Sequence, residues 1–377
     1  MITLSFCAVN GVSVGVFPRR ALVNDRSGRS ANVAVDARTQ PILFMNAAPP
    51  IKAATLHDVA KAAGVSLITA SRALSNPGVV SAKTIAKVRA AADATGYIPN
   101  LLAGGLKSRR SLLVAGVVPA LAVSQFLPTV QCLTTELAAA GYQFILGQTA
   151  YDPEVEGAVL NAMIGRQPDG IVVTGLVESL KARERLQRSG IPVVETWDLS
   201  DNPIDMLVGF SHADVGAEVG RYFLEKGWRH IGIASGNDHR ARMRRDGFHA
   251  ALGREVPTAF VPAPSSLELG RRALTDLLAQ DPKLDAVCCS SDQLAHGVMV
   301  EAAARGLRIP QDLAVCGFGN ADFGAHMLPS ISTVHVDGPE IGRLAARLII
   351  DRCRGESIAQ RVIDVGFRMI ERQSTAT

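Results

Sequence analysis

The sequence predicts a short all-α helix-turn-helix head followed by an α/β body made of two Rossmann-like parallel-sheet lobes. Three observations lead there. Residues 55 to 97 show helical periodicity interrupted by glycine turns, β–α alternation begins at residue 112, and charge divides sharply between the two regions. A chain of 377 residues exceeds one ordinary domain, and a hydrophobic content of 47% can fill a sizeable core.

Residues 1–50 lack sustained periodicity and read as a disordered N-terminal extension. Met1 to Phe17 is mildly apolar but has no basic stretch ahead of its apolar run, so an export signal is not indicated. No apolar run approaches the roughly 18 residues that suggest a membrane span. The six cysteines show no CxxC spacing, and four stand in apolar segments, which fits a reducing, cytoplasmic setting.

Residues 51–98 form the head. Thr55 can cap a first helix from Leu56 to Ala63, and Gly64 ends it by supplying left-handed backbone. Ser66 can cap a second helix through Leu74, and Asn76-Pro77-Gly78 breaks the chain. Ser81 starts a third helix, which Gly96 closes. Two short helices joined by a Gly-containing turn are the helix-turn-helix pattern. From Ile51 to Arg110 nine basic residues stand against two acids, a net of +7, while Ser111 to Thr377 carries −6. A basic module on an acidic body suggests that the module meets a polyanion.

Residues 111–377 supply apolar strand candidates at Leu112–Val118, Gln143–Gly147, Gly170–Thr174, Pro192–Thr196, Met206–Phe210, His230–Ala234, Ala286–Ser290 and Leu313–Phe318. Amphipathic stretches such as Ala213–Lys226 and Leu294–Arg305 lie between them. Continuous apolar strands belong in parallel sheets covered on both faces, in two lobes or, alternatively, in a barrel. The missing helix around Asp198–Asp205 favours a crossover between two lobes at that point. No Gly-x-Ser-x-Gly elbow, phosphate-binding loop or metal-spaced His/Cys cluster is found, so neither an enzyme nor a metal or other cofactor is expected.

Several segments carry a resemblance: Thr55-Leu56-His57-Asp58-Val59-Ala60, Ala63-Gly64-Val65-Ser66, Thr69-Ala70-Ser71-Arg72-Ala73-Leu74, Val80-Ser81, Thr84 and Gly96-Tyr97-Ile98-Pro99-Asn100. With these words the chain resembles the LacI family of bacterial repressors, and the resemblance runs through the body to Glu371-Arg372-Gln373-Ser374-Thr375. It implies a repressor that binds two-fold operator DNA as a homodimer and senses a small sugar or sugar acid. It also implies a body of periplasmic-binding-protein type. A periplasmic-type sugar-binding protein without a regulatory role is the alternative, against which the basic head and the missing export signal argue.

In a helix-turn-helix the second helix enters the major groove. Leu67, Ile68, Ser71 and Arg72 fall on the side away from Ala70 and Leu74. Arg72 suits guanine or phosphate, and Thr69 and Ser71 suit phosphate. Leu67 and Ile68 either contact thymine methyls or extend the core. Thr55, Leu56 and Ser66 complete the candidate DNA-binding set in the head. The resemblance makes residues 99–110 a hinge helix that forms on DNA, with Asn100 at its start and Leu106 wedged into the minor groove. Gly104 and Gly105 depart from the commoner hinge, and each costs roughly 1 kcal/mol in a helix relative to Ala. Replacing both with Ala is expected to tighten operator binding, as a titration of labelled operator would show.

In the body, the resemblance makes Arg244, three residues before Gly247-Phe248, a ligand-binding arginine. Arg242 belongs to the same basic run, Arg240 to Arg245, any one of which alternatively forms a solvated helix face. Ser291 and Asp292 occupy the place of the family's Asn-Asp pair, and Trp197 either stacks on a sugar or fills core. Gly317-Phe318-Gly319-Asn320 stands where sugar-binding members carry acids. A lost carboxylate beside retained arginines suits an anionic ligand. Together with Glu195-Thr196-Trp197-Asp198 it resembles the gluconate-repressor branch, implying gluconate or a phosphorylated relative.

Overall fold

The computed structural model describes residues 53–98, 110–121 and 124–376, together with the backbone of four short strands within the first 33 residues. The chain divides into two compact units, Met1–Pro99 and Asn100–Thr377. In the leading segment β1 (Phe6–Val9) pairs antiparallel with β2 (Val12–Gly15), and β3 (Ala21–Asn24) with β4 (Ser30–Val33). The sequence reading placed no strands there. The rest of the extension over 1–50, and the hinge with Asn100 and Leu106, lie outside the described residues.

The head is three helices, α1 (Leu56–Ala63), α2 (Leu67–Ser75) and α3 (Ala82–Thr95). Their ends follow from local chemistry. Asp58 accepts from the Thr55 backbone N–H at 2.8 Å and from its hydroxyl at 2.7 Å, placing a carboxylate on the positive end of α1. Ser66 and Ser81 cap α2 and α3 by accepting from Thr69 N and Thr84 N. Gly64 and Gly96 end α1 and α3 at φ of 61° and 67°. The core is small side chains, Val59, Ala60, Ala63, Ala70, Ala73, Val88, Ala91 and Ala92, which let three short helices approach closely.

The body holds two open sheets, which excludes the barrel. The first has the order β15-β9-β8-β7-β5-β6, with β5 (Leu113–Val118), β6 (Gln143–Gln148), β7 (Gly170–Thr174), β8 (Val193–Thr196), β9 (Met206–Gly209) and β15 (Val362–Asp364). The second runs β11-β10-β12-β13, with β10 (Ile231–Gly236), β11 (Thr258–Val261), β12 (Ala286–Cys289) and β13 (Ala314–Cys316). Every pairing within the two sheets is parallel. A separate antiparallel ribbon joins β14 (Thr333–His335) to β16 (Arg368–Ile370).

The lobe change does not fall at Asp198–Asp205. There β8 and β9 are parallel neighbours in one sheet, joined by a helix-free segment. That segment runs so close to β9 that a Cβ on Gly209 would lie 1.8 Å from the Asp198 carbonyl oxygen, so only glycine fits. The chain changes lobe after β9, through α7 (His212–Glu225) into β10. It returns after β14 by α12 (Gly338–Arg354), which packs on α4 (Leu127–Ala139) and on the first sheet. It passes over once more between β15 and β16 and ends against the second sheet, where Val315 N donates to the Ser374 carbonyl.

Candidate functional site

On the head, α2 turns Ala70 and Ala73 inward and presents Leu67, Ile68, Ser71 and Arg72 outward. Leu67 is 48% and Ile68 64% exposed, so neither extends the core. Ser66 and Thr69 share a hydroxyl hydrogen bond of 2.8 Å at the helix start. Thr55 is exposed and engaged by Asp58, while Leu56 packs half-buried on the head core. Lys61, Arg72, Lys83, Lys87 and Arg89 are all exposed, giving the head a cationic surface.

In the body, a cavity of about 320 Å³ opens at the carboxyl ends of the strands, the usual ligand position in open α/β sheets. The first lobe contributes Tyr151, Glu156, Glu178 and Asp198, and the second contributes Asp238, Arg240 and Arg242. A recess of about 30 Å³ shares Tyr151, Asp238 and Arg240 with it and reaches Trp197, His212, Arg244, Ser290 and Ser291.

The arginines come from α8 (His239–Leu252), whose first turn is capped by Asp238 accepting from Ala241 N at 3.1 Å. Arg240, Arg244 and Phe248 recur every four residues on one face, and Phe248 is buried. Glycines set the depth of that face. A Cβ at Gly216 would meet the Arg244 carbonyl oxygen at 1.8 Å, and one at Gly247 would meet the Ala213 oxygen at 2.1 Å. These two residues let α7 and α8 press together, which brings Arg244 onto His212.

The Arg244 guanidinium lies 4.1 Å from the Phe318 ring centroid. Its Nη1 meets His212 Nδ1 at 2.8 Å, and its Nη2 donates to the Ser290 carbonyl at 3.2 Å. Among the described residues its Nε is buried without a partner, as is Nη1 of Arg240, whose guanidinium stands 5.1 Å from the Phe126 ring centroid. Burial pulls the Arg244 pKa down to about 10, which leaves it charged at neutral pH. Two uncommitted N–H donors on charged groups that line one recess suit an anion.

Carboxyls line the same cavity. Burial raises the Asp198 pKa, against the Leu199 N–H it accepts at 2.9 Å. Burial, then the nearby Glu178 and Glu195, raise Glu156 to about 7. A carboxyl raised in the folded state binds its proton more tightly there than in the unfolded chain. Stability therefore falls as pH climbs from about 4.5 toward 7 and stays lower above it. Glu156→Gln is expected to raise the melting temperature of the ligand-free protein at pH 8, by about 2 °C or more for each kcal/mol relieved. At pH 4 it is expected to leave the melting temperature unchanged, and thermal denaturation at the two values checks this.

Of the sequence-predicted ligand residues, Arg244, Trp197 and Ser291 line the recess and Arg242 stands at the cavity rim. Trp197 satisfies both of its readings. It is 2% exposed, packs edge-on to Phe126 and Phe210, and also lines the recess. Ser291 caps α10 (Asp292–Ala304). Arg242 is exposed and donates to the Asn237 carbonyl.

Asp292 and Asn320 are not among the residues lining the cavity or the recess. Asp292 is buried, and its oxygens accept from Thr333 Oγ1 and Ala321 N, both at 2.6 Å. Asn320 accepts from Arg372 at 2.6 Å and lies 3.1 Å from His335 Nδ1. Both tie connections in the second lobe together. The acid absent at Gly319-Asn320 does not leave the cleft without carboxyls, because Glu156, Glu178, Asp198 and Asp238 line it. Sequence reasoning missed Arg240, His212, Tyr151 and Asp198. The four-residue spacing from Arg240 through Arg244 to buried Phe248 was the signal that could have found the first.

Comparisons with known proteins agree with this fold. Residues 55–100 match the family described as "Bacterial regulatory proteins, lacI family", and residues 221–375 match "Periplasmic binding protein-like domain". The chain is 34% identical to the HTH-type transcriptional regulator GntR of Pseudomonas aeruginosa, over 85% of this chain and 95% of that one. It is 31% identical to the GntR of Escherichia coli, over 84% and 97%. A solved LacI-family regulator from Silicibacter pomeroyi superposes with a TM-score of 0.82 at 35% identity, covering 86% of this chain and all of that one. No helix among the described residues is long and apolar enough to cross a membrane. With its helix-turn-helix head and two-lobed ligand-binding body, the chain belongs to the lacI family of bacterial transcriptional regulators.

Proposed function

We propose that this regulator is a repressor that grips two-fold operator DNA as a homodimer and lets go when a gluconate-like sugar acid occupies the cleft. The observation that carries the effector is the pair of buried, uncommitted arginine N–H groups, Arg240 Nη1 and Arg244 Nε. A carboxylate supplies charged acceptors for both, whereas a neutral sugar supplies only hydroxyl and ring oxygens, which are weaker partners for a guanidinium. Carboxyls elsewhere in the cavity, including Glu156 and Asp198, suit the hydroxyls of a polyol chain. The relatives named GntR are transcriptional regulators, which supports the DNA-binding half of this reading.

On the DNA side, Leu67 and Ile68 meet thymine methyls, Arg72 reads guanine or holds phosphate, and Ser71 and Thr69 contact phosphate. Ser66 and Leu56 offer backbone N–H groups at helix starts to the phosphates, beside Thr55, whose own N–H and hydroxyl are held by Asp58. Asn100 and Leu106 serve the hinge and its minor-groove wedge. Calorimetry tests the effector. Gluconate is expected to bind and glucose not, while binding of glucose with gluconate inert overturns the reading. The cavity also carries Glu156 and Glu178 with no arginine among the groups that shift Glu156. A free hydroxyl end is favoured there over a phosphorylated one.

A further inference from the structure

His212 opens α7 and is 1% exposed. Its Nδ1 lies 2.8 Å from Arg244 Nη1, and its Nε2 lies 3.0 Å from the Trp197 carbonyl oxygen. A guanidinium carries only donors, so Nδ1 must be an unprotonated acceptor. A carbonyl can only accept, so the single ring proton sits on Nε2 and is donated to Trp197. Burial, then the charges of Arg244 and Arg240, hold the His212 pKa well below its ordinary value, which keeps the ring neutral.

The hydrogen bonds continue on both sides. The Trp197 indole N–H donates to Thr129 Oγ1 at 2.9 Å, and that hydroxyl donates to the Gly338 carbonyl at 2.8 Å. On the other side Arg244 Nη2 reaches the Ser290 carbonyl, beyond the end of β12. One hydrogen-bonded series thus runs from the second lobe to α4 and α12 of the first, with His212 as its middle link.

We propose that His212 is a positioning residue for the cleft. It accepts from Arg244 and donates to Trp197, and so it fixes the guanidinium, with Nε left over for the ligand, and ties that arginine to the first lobe. The inference rests on the reading of the cleft as an anion site. An arginine held in one rotamer by the fold loses its conformational freedom at folding, not at binding, which favours affinity. A histidine also meets the steric demand. It is flat enough to pack 4.6 Å from the Phe210 ring centroid while bridging two polar partners on opposite edges.

Two variants of the full-length chain test this. His212→Phe keeps a flat ring and removes both polar edges. His212→Asn keeps an acceptor where Nδ1 was and loses the bond to Trp197. Gluconate affinity is read by calorimetry, and the Arg244 guanidinium N–H signals by ¹H–¹⁵N correlation spectra of the ligand-free protein. The Phe variant is expected to lose about 30-fold or more in affinity, the consequence of an unanchored buried donor. Its Arg244 signals are expected to fade through exchange with water. The Asn variant is expected to recover most of the affinity and to keep the signals.

Wild-type affinity with intact Arg244 signals in His212→Phe overturns the proposal, and so does an Asn variant as impaired as Phe. If the Phe variant does not fold, the Asn spectra decide alone: retained signals support the positioning role and lost signals overturn it. If the wild type ignores gluconate, the effector reading falls, and the Arg244 signals still decide what His212 does.

Discussion

Arg72→Ala is expected to weaken operator binding by roughly 30-fold to 25,000-fold. An arginine on a guanine is worth about 1–3 kcal/mol, and a homodimer loses it in both half-sites. The side chain is exposed on the outer face of α2, away from Ala70 and Ala73, so the melting temperature of the variant should match the wild type. Fluorescence anisotropy on a labelled operator measures the loss. Base readout and phosphate contact separate in the same titration. If Arg72 reads a base, single substitutions at one operator position cease to matter in the variant. If it holds phosphate, all sequences weaken alike and the salt dependence becomes shallower. An unchanged affinity removes α2 as the reading helix.

Arg244→Ala is expected to cost about 2–5 kcal/mol of gluconate affinity, a loss between roughly 30-fold and several thousand-fold. The cost is large because the Arg244 guanidinium is desolvated by burial and the ligand carboxylate is left with one arginine instead of two. Ligand-free stability should change little, since the variant also removes a cation that burial disfavours. Operator binding without effector should be untouched, because Arg244 belongs to the body unit and α2 to the head. The variant should therefore hold operator at gluconate concentrations that release the wild type. Arg244→Lys keeps the charge and loses the planar fork, and an intermediate affinity is expected. Calorimetry on the two variants beside the wild type measures this order.

The head was legible because its signals are short-range. Thr55, Ser66 and Ser81 mark helix starts, and Gly64 and Gly96 mark ends, through contacts within about one turn. The inner strands of both sheets were legible for a related reason, being unbroken apolar runs such as Gly170–Thr174. Strands β11, β14, β15 and β16 were not, since runs of three or four residues at a sheet edge or in a ribbon carry no clear period. The helix-free link from β8 to β9 misled for a physical reason: a short irregular crossover can join parallel neighbours when a glycine such as Gly209 lets the chain pass close.

The cleft was half legible. Arg244 and Trp197 could be placed from their position in the chain, but Asp292 looks the same in sequence whether it faces a ligand or the fold. Its partners Thr333 and Ala321 come from distant segments, and only folding brings them to its carboxylate. His212 was invisible for the same reason, because its two partners, Trp197 and Arg244, lie on opposite sides of it in the chain.

The account stands on the cleft governing the head. The direct measurement is an anisotropy titration of the full-length protein on a promoter fragment from its own genome, at fixed salt, with gluconate, with glucose and with neither. Tight binding alone, weakened about tenfold or more by gluconate and unaffected by glucose, is the predicted result. Binding that gluconate leaves unchanged, or no binding to any promoter fragment under any of the three conditions, contradicts it.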